Sequence, residues 1–182
     1  GSGTSEEAVF RWWEMMHDDH DDHDHDHDDP TVEGSRLHLE IHRAVDELGK
    51  YAIEIRMKSQ RGTSKKDVLG FIEDLMRAAT KNCLDHGADM VGHVKSILIS
   101  EDGSIMSSIV DYDVATKVKD DMGTDTVYEG VLTLHVIVHG IWDDVIRDHT
   151  KEILPGVAKK WKIPYEIVAD YFDTEKSIEH HR

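Results

Sequence analysis

Apolar residues recur at every second position in some stretches of this chain and at every third or fourth in others, and the change of period predicts its elements. Leu37, Leu39 and Ile41 alternate with His38, Glu40 and His42, and Tyr51, Ile53, Ile55 and Met57 alternate with Glu54, Arg56 and Lys58. Both runs predict half-buried strands, joined most simply as a hairpin around Asp46-Glu47-Leu48-Gly49. Val68, Ile72, Leu75, Ala79 and Cys83 then share one stripe at helical spacing. That stripe predicts a long helix, capped by Ser64 or Thr63 and closed near His86 and Gly87. Cys83, on the apolar stripe, is read as a packing residue and not as a ligand or nucleophile.

His93 to Ser100 and Ile105 to Asp113 predict two strands around the turn Glu101-Asp102-Gly103-Ser104, followed by a polar helix turn and loop over 114–125. A long strand comes next, with Leu132, Leu134, Val136 and Val138 on one face and Thr133, His135, Ile137 and His139 on the other. Trp142, Val145, Ile146, His149 and Ile153 mark a second helix that Pro155-Gly156 is expected to break or kink. Tyr165, Ile167, Ala169 and Tyr171 form a last strand. This order implies an α+β fold, an antiparallel or mixed sheet with helices packed on one face, of ferredoxin-like split βαβ type. The other sheet face would carry His38, His42, His135 and His139, a half-polar surface of the kind another subunit covers, so a homo-oligomer is expected.

Ahead of this body, residues 1–16 read as a cloning remnant, Gly1-Ser2-Gly3, and a short amphipathic helix carrying Trp12 and Trp13. The helix is expected to dock on its own domain or on a partner subunit; membrane attachment is expected only if the chain is a piece of a longer protein. Residues 17–30 are expected to form a flexible His/Asp-rich arm, 31–172 a single α+β domain and 173–182 a frayed tail.

The arm changes the picture most. From His17 to Asp29 it holds five histidines and eight aspartates and no apolar residue, so burial cannot offset the entropy of ordering it. Imidazole nitrogen and carboxylate oxygen are the donors that Zn²⁺, Ni²⁺, Co²⁺ and Cu²⁺ accept. His17, His20 and His23 recur every third residue, which a helical turn would gather, and His23, His25 and His27 recur every second, which an extended chain would align. Asp24 and Asp26 sit between the latter and complete the expected ligand set. The cofactor this implies is a divalent transition metal, nickel or zinc before others.

Charge and cysteine content narrow the partners. Of the net charge of -17 the arm's aspartates carry eight units, leaving a moderately acidic remainder without the basic face that nucleic acid demands. The single Cys83 excludes an intrachain disulfide, and no apolar run reaches the length of a membrane span, so a cytoplasmic protein is expected.

Two readings of function remain. In the first, the arm collects a metal that an oligomeric domain stores, senses or delivers. His135 and His139 are further candidate ligands, but four residues along a strand separate them by about 13 Å, so a site on the sheet must combine histidines across strands. His135 or His139 beside His38, His42 or His93 is the candidate set. In the second, the chain is an enzyme of cofactor or small-metabolite chemistry, with Asp111, Asp113, Glu129 and the sheet histidines as acid-base groups. No phosphate-binding loop, dinucleotide fingerprint, His-Glu-x-x-His or nucleophile elbow is present to favour it.

Overall fold

The computed structural model describes residues 48–171, which form β1 (Leu48–Ser64), α1 (Lys65–Asp85), β2 (Met90–Ser100), β3 (Gly103–Ile109), β4 (Lys117–Asp120), β5 (Thr126–His139), α2 (Asp143–Trp161) and β6 (Tyr165–Tyr171). The helix proposed for residues 5–16, the His/Asp arm, the strand proposed at 37–41 and the tail lie outside the described residues. The six strands form one sheet in the order β4-β3-β2-β5-β1-β6, and every neighbouring pair is antiparallel. The fold is therefore α+β.

Alternation decides which sheet face is buried. On β1, Tyr51, Ile53 and Ile55 are almost wholly buried on one side, and on β5 Leu132, Leu134, Val136 and Val138 do the same. Both helices pack there. α1 turns Phe71, Ile72, Leu75, Met76 and Cys83 inward, and α2 contributes Ile146, Leu154 and Ala158. α1 packs on α2 and on β2, β5 and β1, while α2 packs on β1. Its N-terminus is fixed as the sequence predicts, with the Ser64 hydroxyl accepting the Asp67 amide at 3.1 Å.

The connections interleave. β1 and β2, joined through α1, lie on either side of β5; β5 and β6, joined through α2, lie on either side of β1. The hairpin expected between 37–41 and β1 does not fit this arrangement over Ala52–Met57, because β5 occupies one edge of that stretch and β6 the other. Strands close in sequence invite a hairpin reading, and the partner that takes this edge comes instead from the far end of the domain.

Two further expectations are corrected. The polar segment after β3 is a strand, β4, with all four residues exposed, paired from Ile105↔Asp120 to Ser108↔Lys117. An edge strand with no buried side carries no alternation for the sequence to display. Of the two outcomes expected at Pro155, a break or a kink, the break does not occur: the second helix continues through it to Trp161. Burial of Leu154 before it and Ala158 after it holds the helix together across the lost backbone hydrogen bond.

Candidate functional site

The chemistry-bearing side chains that the described residues gather lie on the sheet face turned away from the helices. β5, a central strand, places Thr133, His135, Ile137 and His139 there in alternation with its core residues. Register sets their neighbours: His135 stands opposite Ala52 of β1 and Lys95 of β2, and Ile137 opposite Lys50 of β1 and His93 of β2. The rings of His93 and His135 meet edge-on, 5.8 Å between centroids.

His135 is largely buried, and that burial, followed by the positive surroundings of His93, Lys95 and Lys50, pushes its pKa down to about 4. At neutral pH the imidazole is uncharged. Burial also lowers the pKa of Lys95. Beside this group an open hollow of about 190 Å³ is lined by Lys50, Tyr51, Ala52, His135, Asp143 and Tyr171. The Asp143 carboxylate accepts the Lys50 backbone amide at 2.8 Å, and the Tyr171 hydroxyl donates to Glu54 at 3.2 Å.

His139 has a different setting. Its Nδ1 lies 2.6 Å from Asp89 Oδ1, and the Asp89 amide donates back to the His139 carbonyl at 3.1 Å. A carboxylate at Nδ1 favours the tautomer that carries its hydrogen there, the arrangement that commonly orients metal-binding histidines. His86 and His149 form a third pair where the helices meet, their rings 3.8 Å apart and tilted by 30°. His86 Nδ1 lies 2.8 Å from the Asn82 carbonyl, so that nitrogen carries the hydrogen.

Of the sequence-derived candidates, His135 and His93 are brought together across strands, while His135 and His139 stay four residues apart on one strand. His17, His20, His23, His25, His27, Asp24, Asp26, His38 and His42 lie outside the described residues. Among the described residues, no group of three or more His, Cys, Asp or Glu side chains is placed to hold a metal ion. Cys83 is buried, which pushes its thiol up to about 11 and keeps it protonated, in line with a packing role.

The carboxylates considered for acid-base work do not join the histidines. Glu129 bonds Lys58 at 2.8 Å, and this contact above all holds its carboxyl below the ordinary range. It also stands six residues before His135 on the same strand, about 20 Å away. Asp111 and Asp113 belong to the loop after β3, which Arg77 ties to α1 through the carbonyls of Tyr112 (2.7 Å) and Val114 (3.0 Å).

Lys50, Lys95, Asp89 and Asp143 are the site residues that sequence reasoning missed. The strand register places Lys50 opposite Ile137 and Lys95 opposite His135, which no pattern within a single strand displays. Among the described residues no helix is long and apolar enough to cross a membrane.

Comparison of the chain with protein-family models, with curated proteins and with solved structures finds no match. The class the fold defines is structural: an α+β protein whose described residues form a six-stranded antiparallel sheet with two helices on one face.

Proposed function

We propose that this chain is a divalent transition-metal-binding protein of the Ni/Zn/Co class, in which His17, His20, His23, His25 and His27, with Asp24 and Asp26, collect the ion for an oligomeric α+β domain. The observation that carries the reading is the alternation itself: five imidazoles and eight carboxylates in thirteen consecutive residues. A stretch needed only for solubility has no use for histidine at every second or third place. Storage, sensing and delivery of the metal are all compatible with this composition, and the proposed setting is cytoplasmic.

The two sheet histidines differ as auxiliary ligands. His139, oriented by Asp89, suits a cation better than His135, around which Lys50 and Lys95 oppose positive charge. The enzyme reading draws less support, since Glu129 is paired with Lys58 far along the strand from His135. For the domain we infer a ferredoxin-like split βαβ core of β1, α1, β2, β5, α2 and β6. The strand order β2-β5-β1-β6 and the two interleaved helical crossovers support this, with β3 and β4 as an edge addition.

Calorimetric titration of the intact protein with Ni²⁺ and Zn²⁺, beside a deletion of residues 17–29, tests the function. More than one ion per intact chain is expected, since the donors exceed the needs of one tetrahedral site, and the deletion should lose most of that capacity. Equal stoichiometry for the two proteins would overturn the reading.

A further inference from the structure

The sheet ends on two edge strands, and this chain builds them differently. β4 closes one edge with four exposed residues, Lys117-Val118-Lys119-Asp120. A short edge strand carrying lysines resists a further strand, because pairing would crowd and desolvate the charges. β6 closes the other edge with seven residues, Tyr165–Tyr171, and no described strand lies beyond it. It contains neither lysine nor arginine.

The middle of β6 is apolar and open. α2 packs on β1, the next strand inward, and Ile167 remains 42% exposed and Val168 38%. Val168 is the extra residue where the register with β1 slips between Ile55 and Glu54. The two acids of the strand are already offset within the chain: Glu166 accepts Arg56 at 2.8 Å, and Asp170 accepts the Lys151 ammonium. Tyr165-Glu166-Ile167-Val168-Ala169-Asp170-Tyr171 also reads alike from either end, aromatic, acidic and apolar, about Val168.

We propose that β6 is an interface at which a second copy of this chain pairs edge to edge and antiparallel, joining the two sheets into one. A two-fold contact demands that a surface complement itself, and a strand that reads alike in both directions does so in antiparallel pairing. With the axis at Val168, Tyr165 of each copy stands opposite Tyr171 of the other, and Ile167 opposite Ala169, aromatic and apolar pairs of the kind that stabilise neighbouring strands. Glu166 then stands opposite Asp170 of the other copy, and this like-charge pair is tolerated because Arg56 and Lys151 neutralise it from behind. Seven residues a side fall short of the roughly 20–30 of a standard interface, so the association is expected to depend on concentration. The interface rests on the oligomeric part of the proposed function and puts the contact at the edge of the sheet instead of its open face; it is independent of the metal-binding arm.

Sedimentation equilibrium of the full chain tests the interface, with a chelator present so that metal ions cannot bridge two arms. A reversible monomer–dimer equilibrium is expected in the micromolar to submillimolar range. Val168→Lys should weaken it about ten-fold or more by setting two ammonium groups against each other, while Val118→Lys on the β4 edge leaves it unchanged. A second measurement needs no substitution: amide hydrogen exchange over residues 165–171 should slow as protein concentration rises, and exchange in β4 should not. A monomer throughout the range, or exchange over 165–171 indifferent to concentration, would overturn the interface. A dimer that survives Val168→Lys and is lost in Ile99→Lys, on the open sheet face, would overturn the edge contact and leave the oligomeric reading standing. Metal capacity measured by calorimetry should be the same in all these variants.

Discussion

The indole of Trp161, at the end of α2, lies flat against Gly70 of α1, so close that a Cβ added to Gly70 would stand 2.2 Å from the ring. The same indole donates its Nε1 hydrogen to Asp74, one turn further along α1, at 2.7 Å. An interior glycine ordinarily costs a helix about 1 kcal/mol relative to alanine. Here the helix accepts that cost because only hydrogen fits beneath the ring.

Gly70→Ala should therefore destabilise the protein, by about 1–3 kcal/mol, despite the gain in helix propensity. Urea denaturation of the two proteins decides between the effects. A raised midpoint would mean that Trp161 shifts aside without loss, and the close packing would then be dispensable.

Asp74 ties acid stability to the same contact. Burial raises its pKa, but hydrogen bonds from Lys160 and Trp161 outweigh burial, and the net position is below the ordinary carboxylate value. A carboxyl depressed in the folded state contributes stability above its unfolded pKa of about 3.9 and loses it as pH falls through the folded value. Asp74→Asn should lower the thermal midpoint near neutral pH and bring mutant and wild type closer together as the pH drops below about 4. A constant gap between them across that range would show that the ionised form matters little.

His135 acts in a higher window and through the opposite charge state. Its pKa of about 4 lies below the reference value of about 6.5, so an unfolding chain takes up the proton first as the solution is acidified. Stability from the neutral buried ring is complete above about pH 6.5 and is lost between about 6.5 and about 4. His135→Gln, which cannot titrate, should remove a few kcal/mol of this pH dependence. Denaturation midpoints measured through the window should show a shallower slope for the variant; identical slopes would place the histidine in contact with water.

Deleting residues 17–29 should leave cooperative unfolding intact, because the core assembled from Tyr51, Phe71, Leu75 and Leu134 lies within residues 48–171. Removal of eight like charges relieves self-repulsion in the metal-free protein, so an unchanged or slightly raised thermal midpoint is expected. Loss of a cooperative transition would make the arm part of the folded structure.

The parts of this fold that were legible in the sequence are those where one side chain reports on its own burial. The period-two runs at Tyr51–Met57 and Leu132–Val138 and the helical stripe through Val68, Leu75 and Cys83 each appear as expected. β4 was illegible because nothing in Lys117–Asp120 is buried, and the helix passes Pro155 unbroken because its local cost is met by packing at Leu154 and Ala158. The sheet histidines were visible as candidates, and the cross-strand pairing of His93 with His135 falls within the expected set. Lys50 and Lys95 were not, since their nearness to His135 depends on a register between three strands far apart in sequence.

The place of β1 in the sheet has a consequence for the order in which the chain can mature. Its described neighbours are β5 and β6, and the register that joins Ala52 to Tyr171 spans more than a hundred residues. The local hairpin of β2 and β3 can form soon after synthesis, but β1 must wait for β5 before one edge is filled and for nearly the whole domain to leave the ribosome before β6 fills the other. Its apolar side chains Ile53 and Ile55 are exposed to wrong partners for that interval, and the charged residues Glu54, Arg56 and Lys58 set among them are the sequence's guard against it.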